Sequence, residues 1–185
     1  FSSAKSYIKT TPHKIEAEKM AVIIQEVVGI LHYDRFYPNI SGVGRSYNFY
    51  PTGHAAPEDG VVNLALGLGK SIVDGGAVWT FSPEYPEVAP PFNSIKDLMK
   101  QTQVDFWAVN MGKPPAYDPA KETEYLVKSS LKEAEYDNSL IYLASTYNYE
   151  SDRIEMGTGS PGPRIINFAP LLQVELLPIN RLIKS

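Results

Sequence analysis

The run Gly69-Lys70-Ser71 is the first point in the sequence where residue types and spacing resemble a working site. In a P-loop, a lysine so placed meets the terminal phosphates of a nucleotide and the adjoining hydroxyl holds magnesium. The full pattern needs a glycine five residues before Gly69; that position is Leu64, so a wrap of backbone amides around phosphates is not expected. A second stretch, Met156-Gly157-Thr158-Gly159-Ser160-Pro161-Gly162, has the composition of an anion cradle. Pro161 and Pro163 remove amide donors where a cradle needs them, which makes a hairpin-like loop the expectation. No G-x-S-x-G elbow for a serine nucleophile occurs.

Metal and thiol chemistry find little support. The three histidines, His13, His32 and His54, are widely separated and never stand at the i, i+4 spacing that puts two imidazoles on one helical face, and there is no cysteine. Glu84 and Glu87 sit in a proline-rich stretch and read as solvated loop charges, while Trp79 and Trp107 read as core or rim residues. The formal net charge of -4 leaves no basic excess for a nucleic-acid backbone or an anionic membrane surface. No apolar run approaches the roughly 18 residues of a membrane span, and no signal-peptide pattern opens the chain. The expectation is a soluble, unsecreted, cytoplasmic protein without nucleic-acid or membrane partners.

The elements that would position these residues follow from periodicity. Residues 20–28 (MAVIIQEVV) form an apolar, β-branched run that predicts a central strand covered on both faces. The aromatic stretch 33–51, punctuated by Pro38, Gly42 and Gly44, predicts short antiparallel strands, and 52–60 a polar turn. Strand character returns at 61–66, expected in the same sheet as 20–28, until the glycines of GLG at 67–69 stop it. Lys70, after those glycines, is expected to project from a loop, with a helical turn over 71–75 and a strand over 78–81. Prolines 83, 86, 90 and 91 impose an irregular loop. Ser94 with Asp97 three residues on predicts a capped helix over 95–101, and 104–109 (VDFWAV) alternates like a strand.

Further on, Asp118-Pro119 resembles a cap with proline at the first helical position. Val127, Leu131 and Ala134 follow at helical spacing, predicting an amphipathic helix. Strands are expected over 140–146 and 165–168, and 171–183 is an apolar stretch of undetermined type. Helices and strands mix without a βαβ rhythm, so the fold class is α+β with mixed or antiparallel sheet.

Three segments taken in order carry a resemblance: MAVIIQEVVG at 20–29, SGVG at 41–44 and NLALGLGKSIVDGG at 63–76. Together they resemble the ATP-binding domain of the phosphoenolpyruvate synthase and pyruvate phosphate dikinase family, most clearly over 20–83. The resemblance implies an ATP-grasp fold with the nucleotide between lobes. It further implies a hinge strand, here Gln25, Glu26, Val27 and Val28, whose backbone pairs with the adenine edge, and Lys70 beside the cleft. An apolar strand offering main-chain donors and acceptors suits a purine.

Three places depart from the family pattern. Asn63 and Lys70 stand where members commonly carry acids, and Arg45-Ser46-Tyr47 stands where phenylalanine-threonine-arginine is usual. Lysine for glutamate reverses a charge beside the cleft.

The resemblance implies ATP and Mg2+ as cofactors of a parent protein that passes phosphoryl groups, through a phosphohistidine domain of the same polypeptide, towards a pyruvate-class acceptor. The family's phosphate-binding lysine and arginines, and its metal-holding acid and glutamine-arginine pair, have no counterpart matched in this sequence. Residues 1–185 are therefore expected to be an interior fragment that holds no catalytic residue or metal ligand, binds no cofactor tightly and is inactive alone. A degenerate binding or regulatory module without turnover is the alternative.

Overall fold

The structure is a computed structural model that describes residues 10, 21–116, 118, 120–121 and 123–172. Its first sheet joins β1 (Ile30–His32), β2 (Arg35–Tyr37), β6 (Asp105–Asn110) and β7 (Leu126–Ser130), in that order across the sheet. A second holds β3 (Ser41–Arg45), β4 (Val61–Ala65) and β5 (Trp79–Phe81). The third is ordered β10 (Arg164–Ile166), β8 (Ala144–Asn148), β9 (Arg153–Met156). Every strand pair is antiparallel. Among the described residues, short helices complete the fold: α1 (Lys70–Val73), α2 (Ile95–Gln101), α3 (Leu131–Tyr136) and α4 (Ala169–Leu172), with a 3-10 turn at Pro57–Asp59. This is an α+β architecture of antiparallel sheets and short helices.

One apolar core joins the three sheets. Val62 and Leu64 of β4, Trp79 and Phe81 of β5, Phe106 and Ala108 of β6, Leu98 of α2 and Ile165 and Ile166 of β10 all belong to it. Strand alternation explains the choice: Phe106 and Ala108 turn inward while Asp105 and Trp107, which alternate with them, are only half-buried. α2 occupies the expected residues, and the Ser94 Oγ accepts the Asp97 amide at 3.2 Å as a helix N-cap. β4, β5 and β6 lie where strands were expected, to within a residue or so.

Four expectations need correction. Residues 21–28 are irregular and exposed rather than a central strand, and Met20 lies outside the described residues. Among the described residues regular pairing starts at Ile30 and β1 is bonded to β2 alone, so none of them gives the preceding run two-sided cover. Val22, Ile24 and Val28 are 77%, 91% and 80% exposed, which also removes the shared sheet expected with residues 61–66.

The amphipathic helix expected from Asp118 onward is replaced by turns and by β7, and Pro119 lies outside the described residues. Asp118 does cap a turn, its Oδ1 accepting the Ala120 amide, but five cross-strand pairs with β6 claim residues 126–130 for the sheet. Only the last part of the stretch is helical: α3 starts after Ser130, whose amide donates to the Glu133 carboxylate at 2.7 Å in a capping box. Helical spacing of 127, 131 and 134 thus arose from a strand running straight into a helix.

Residues 140–143 form a turn, so the strand expected from 140 begins at Ala144. The glycine-rich loop at 157–163 links β9 to β10, which flank β8 on opposite sides, so it crosses over β8 and is not a hairpin connection. Of the final apolar stretch only Leu171 and Leu172, within α4, belong to the described residues.

Candidate functional site

The corner after β4 is built by hydrogen bonds from three directions. Leu66, fully buried, has its backbone satisfied by a side chain: the Gln103 Nε2 donates to the Leu66 carbonyl at 2.8 Å and the Leu66 amide donates to the Gln103 Oε1 at 2.8 Å. Gln103 therefore acts as a surrogate strand edge, closing the sheet where β4 has no backbone neighbour. Gly67 follows with φ +81; a Cβ there would stand 2.6 Å from the Trp107 carbonyl oxygen and 2.8 Å from the Phe106 ring, so only glycine fits. The Ser41 hydroxyl donates to the Gly67 carbonyl at 2.6 Å, tying the start of β3 to the same turn.

Four amides around the corner are engaged with backbone carbonyls. Gly67 donates to the Pro38 carbonyl, Leu68 to the Trp107 carbonyl, and Ile72 and Val73 to the Gly69 carbonyl.

Lys70 opens α1 and is half-buried rather than carried on a loop. Its Nζ lies 2.6 Å from Asp74 Oδ2, one helical turn on, and 5.7 Å from the centre of the Trp107 ring. Lys128 reaches the same ring at 5.9 Å while pairing with Asp105 at 2.8 Å. Two ammonium groups thus meet one tryptophan, each with its own carboxylate. Ion pairs this open to solvent are worth about 0–1 kcal/mol.

Gln25, Glu26, Val27 and Val28 lie on the exposed irregular segment before β1, and among the described residues no hydrogen bond or ion pair joins them to Lys70. Asn63, at the middle of β4, accepts the Thr80 hydroxyl at 2.7 Å. Gln103, Ser41, Asp74 and Trp107 were not singled out as site residues by the sequence. A lone glutamine after a helix carries no signal of its own. Trp107 stood out only as an aromatic on an alternating strand.

A second polar group braces the first sheet against α3. Tyr37, fully buried, donates its hydroxyl to Asp137 Oδ2 at 2.8 Å and lies 2.9 Å from the Ser139 hydroxyl. Arg35 adds Nε to Asp137 at 3.2 Å and Nη1 to Glu133 at 3.2 Å. Burial, with Asp137 alongside, pushes the Tyr37 phenol well above the ordinary tyrosine value. Burial alone would lower the Arg35 guanidinium, but Asp137, Glu133 and Asp34 outweigh it and hold it above its usual value. These contacts fasten β2 to α3 and the turn behind it.

The family model described as pyruvate phosphate dikinase, AMP/ATP-binding domain, matches residues 1–147. The chain belongs to that family. The match spans the GLG corner, the first two sheets and α3, and identifies the unit as a nucleotide-binding domain of the pyruvate phosphate dikinase family, ATP-grasp-like in its α+β build. No curated protein and no solved structure matches the chain. Among the described residues no group of three or more His, Asp or Glu side chains converges as a metal site, and no helix is long and apolar enough to cross a membrane.

Proposed function

We propose that the chain contributes the adenine-side part of the nucleotide cleft in an ATP-dependent phosphotransferase of the phosphoenolpyruvate synthase and pyruvate phosphate dikinase type. In this reading residues 1–185 are an interior fragment. The other ATP-grasp lobes and a phosphohistidine domain belong to the same cytoplasmic polypeptide, ATP and Mg2+ are its cofactors, and a pyruvate-class molecule is the acceptor. The observation that carries it is the family match over residues 1–147, which includes the GLG corner with Lys70 beside it.

Residues 25–28 are irregular and exposed, so Gln25, Glu26, Val27 and Val28 do not form the buried hinge strand that pairing with the adenine edge requires. The exposed Val22, Ile23 and Ile24 beside them call for cover of the kind a neighbouring lobe supplies. Lys70 would exchange Asp74 for phosphate oxygens once nucleotide is present.

Affinity for a nucleotide triphosphate rests chiefly on magnesium and cations around the phosphates. The fragment alone is therefore expected to bind at millimolar level or weaker, about 4 kcal/mol, and to transfer no phosphoryl group. Calorimetric titration of the 185-residue chain and of the full-length parent with magnesium-ATP tests this; a micromolar site on the fragment would overturn it.

One observation favours a second reading, a binding or regulatory module without turnover. Asn63 is engaged with Thr80 and Lys70 with Asp74 at the positions where the family commonly carries acids. Measured phosphoryl transfer by the parent would exclude this alternative.

A further inference from the structure

A separate cavity of about 330 Å³ opens on the face of the β3–β4–β5 sheet turned away from the core. Its position follows from the strand register. Arg45 pairs with Val61 and Asn63 with Thr80, so these four share one face, while Val62 and Leu64 point into the core. Arg45 ends β3 whereas Ser41, which binds the GLG corner, begins it; four strand steps separate them by roughly 13 Å. The cavity and the corner are thus different places.

Its chemistry is one-sided. The lining includes the Arg45 guanidinium and the His54 imidazole but no acidic residue, in a chain whose net charge is -4. Among the described residues Arg45 has no carboxylate partner. Asn63 gives its amide oxygen to the Thr80 hydroxyl, which leaves its Nδ2 hydrogens as donors beside that guanidinium. Part of the remaining wall is apolar and stiff, with Val61 from the sheet and Val88, Pro90 and Pro91 from the proline-rich loop, while Asn48 and Thr52 add further polar groups.

We propose that this cavity is a binding site for a small organic carboxylate with an apolar body. Arginine presents a planar fork that fits a carboxylate bidentately, and a single permanent cation matches a monoanion better than a phosphate dianion. The volume lies at the small end of ligand cavities, and an apolar wall with a few convergent polar groups is their usual make-up. The site does not depend on the nucleotide reading.

The test is an amide chemical-shift titration of the 185-residue chain with benzoate, inorganic phosphate and benzyl alcohol as probes. Benzoate is expected to shift the amides of Arg45, Val61, Asn63 and Thr80 with millimolar affinity, and the uncharged alcohol to bind at least about tenfold more weakly. Arg45→Gln removes the fork and Asn63→Asp places a negative charge at the cavity floor. Asn63→Asp retains an acceptor for Thr80, so it is expected to fold, as the remaining resonances will report. Each substitution is expected to weaken benzoate about tenfold or more. Equal binding of benzoate and benzyl alcohol, tighter binding of phosphate, shifts confined to other regions, or affinity unchanged in Arg45→Gln would each overturn the proposal.

Discussion

Replacing Gln103 with leucine keeps most of the side-chain volume but removes both hydrogen bonds to Leu66 at once. Leu66 is fully exposed to neither water nor any other described backbone partner, so its amide and carbonyl would remain buried and unsatisfied. Each such group costs about 1–3 kcal/mol, which gives a loss of about 2–6 kcal/mol for the pair. Against a typical domain stability of about 5–15 kcal/mol this is a large fraction. Urea unfolding followed by far-ultraviolet circular dichroism measures it, with Gln101→Leu at the exposed end of α2 as the control, expected to fall within about 0.5 kcal/mol of the parent. Gln103→Glu sharpens the test. A protonated carboxyl can both donate to and accept from Leu66, whereas the carboxylate only accepts. Its stability is therefore expected to be highest at acid pH and to fall as pH rises through and above the ordinary glutamate range of about 4.3. A Gln103→Leu loss below about 1 kcal/mol with an unchanged denaturant slope would refute the surrogate-strand account.

Three further outcomes follow from the same geometry. Gly67→Ala, which combines positive φ with a backbone clash at the Trp107 carbonyl, is expected to destabilise by about 2 kcal/mol or more in thermal or urea unfolding. Tyr37→Phe removes the hydroxyl that links Asp137 and Ser139, leaving Asp137 with its Arg35 partner, and is expected to cost about 1–3 kcal/mol. Because the folded phenol titrates above its ordinary value of 10.0, its contribution is complete below that pH and is lost as pH climbs beyond it; the parent should lose stability more steeply there than Tyr37→Phe, and parallel curves would contradict the burial account. Lys70→Gln, which breaks a pair whose aspartate is half exposed, is expected to change stability by less than about 1 kcal/mol; a larger loss in urea would mean the lysine serves the fold.

Short-range signals sufficed where the deciding force is local. Ser94 and Asp97 marked the start of α2 because capping is settled within four residues, and alternation in 104–109 marked β6 because side-chain direction follows the pleat. The family resemblance lay equally in local strings, SGVG and GLGKS, and the match over residues 1–147 agrees with it. Long-range pairing decided the rest. The 20–28 run shows an apolar demand but not whether a neighbour meets it, and at residues 21–28 none of the described residues does. The 126–130 segment reads as helix until five pairs with β6 are available to it. Gln103 matters only because α2 and β6 carry it to Leu66, 37 residues away in sequence, and the anionic preference of the outer cavity exists only because register places Arg45, Asn63 and Thr80 on one face. Types and local spacing are written in the sequence; which buried group lacks a partner, and which charge lacks a counter-charge, is a property of the assembled sheets.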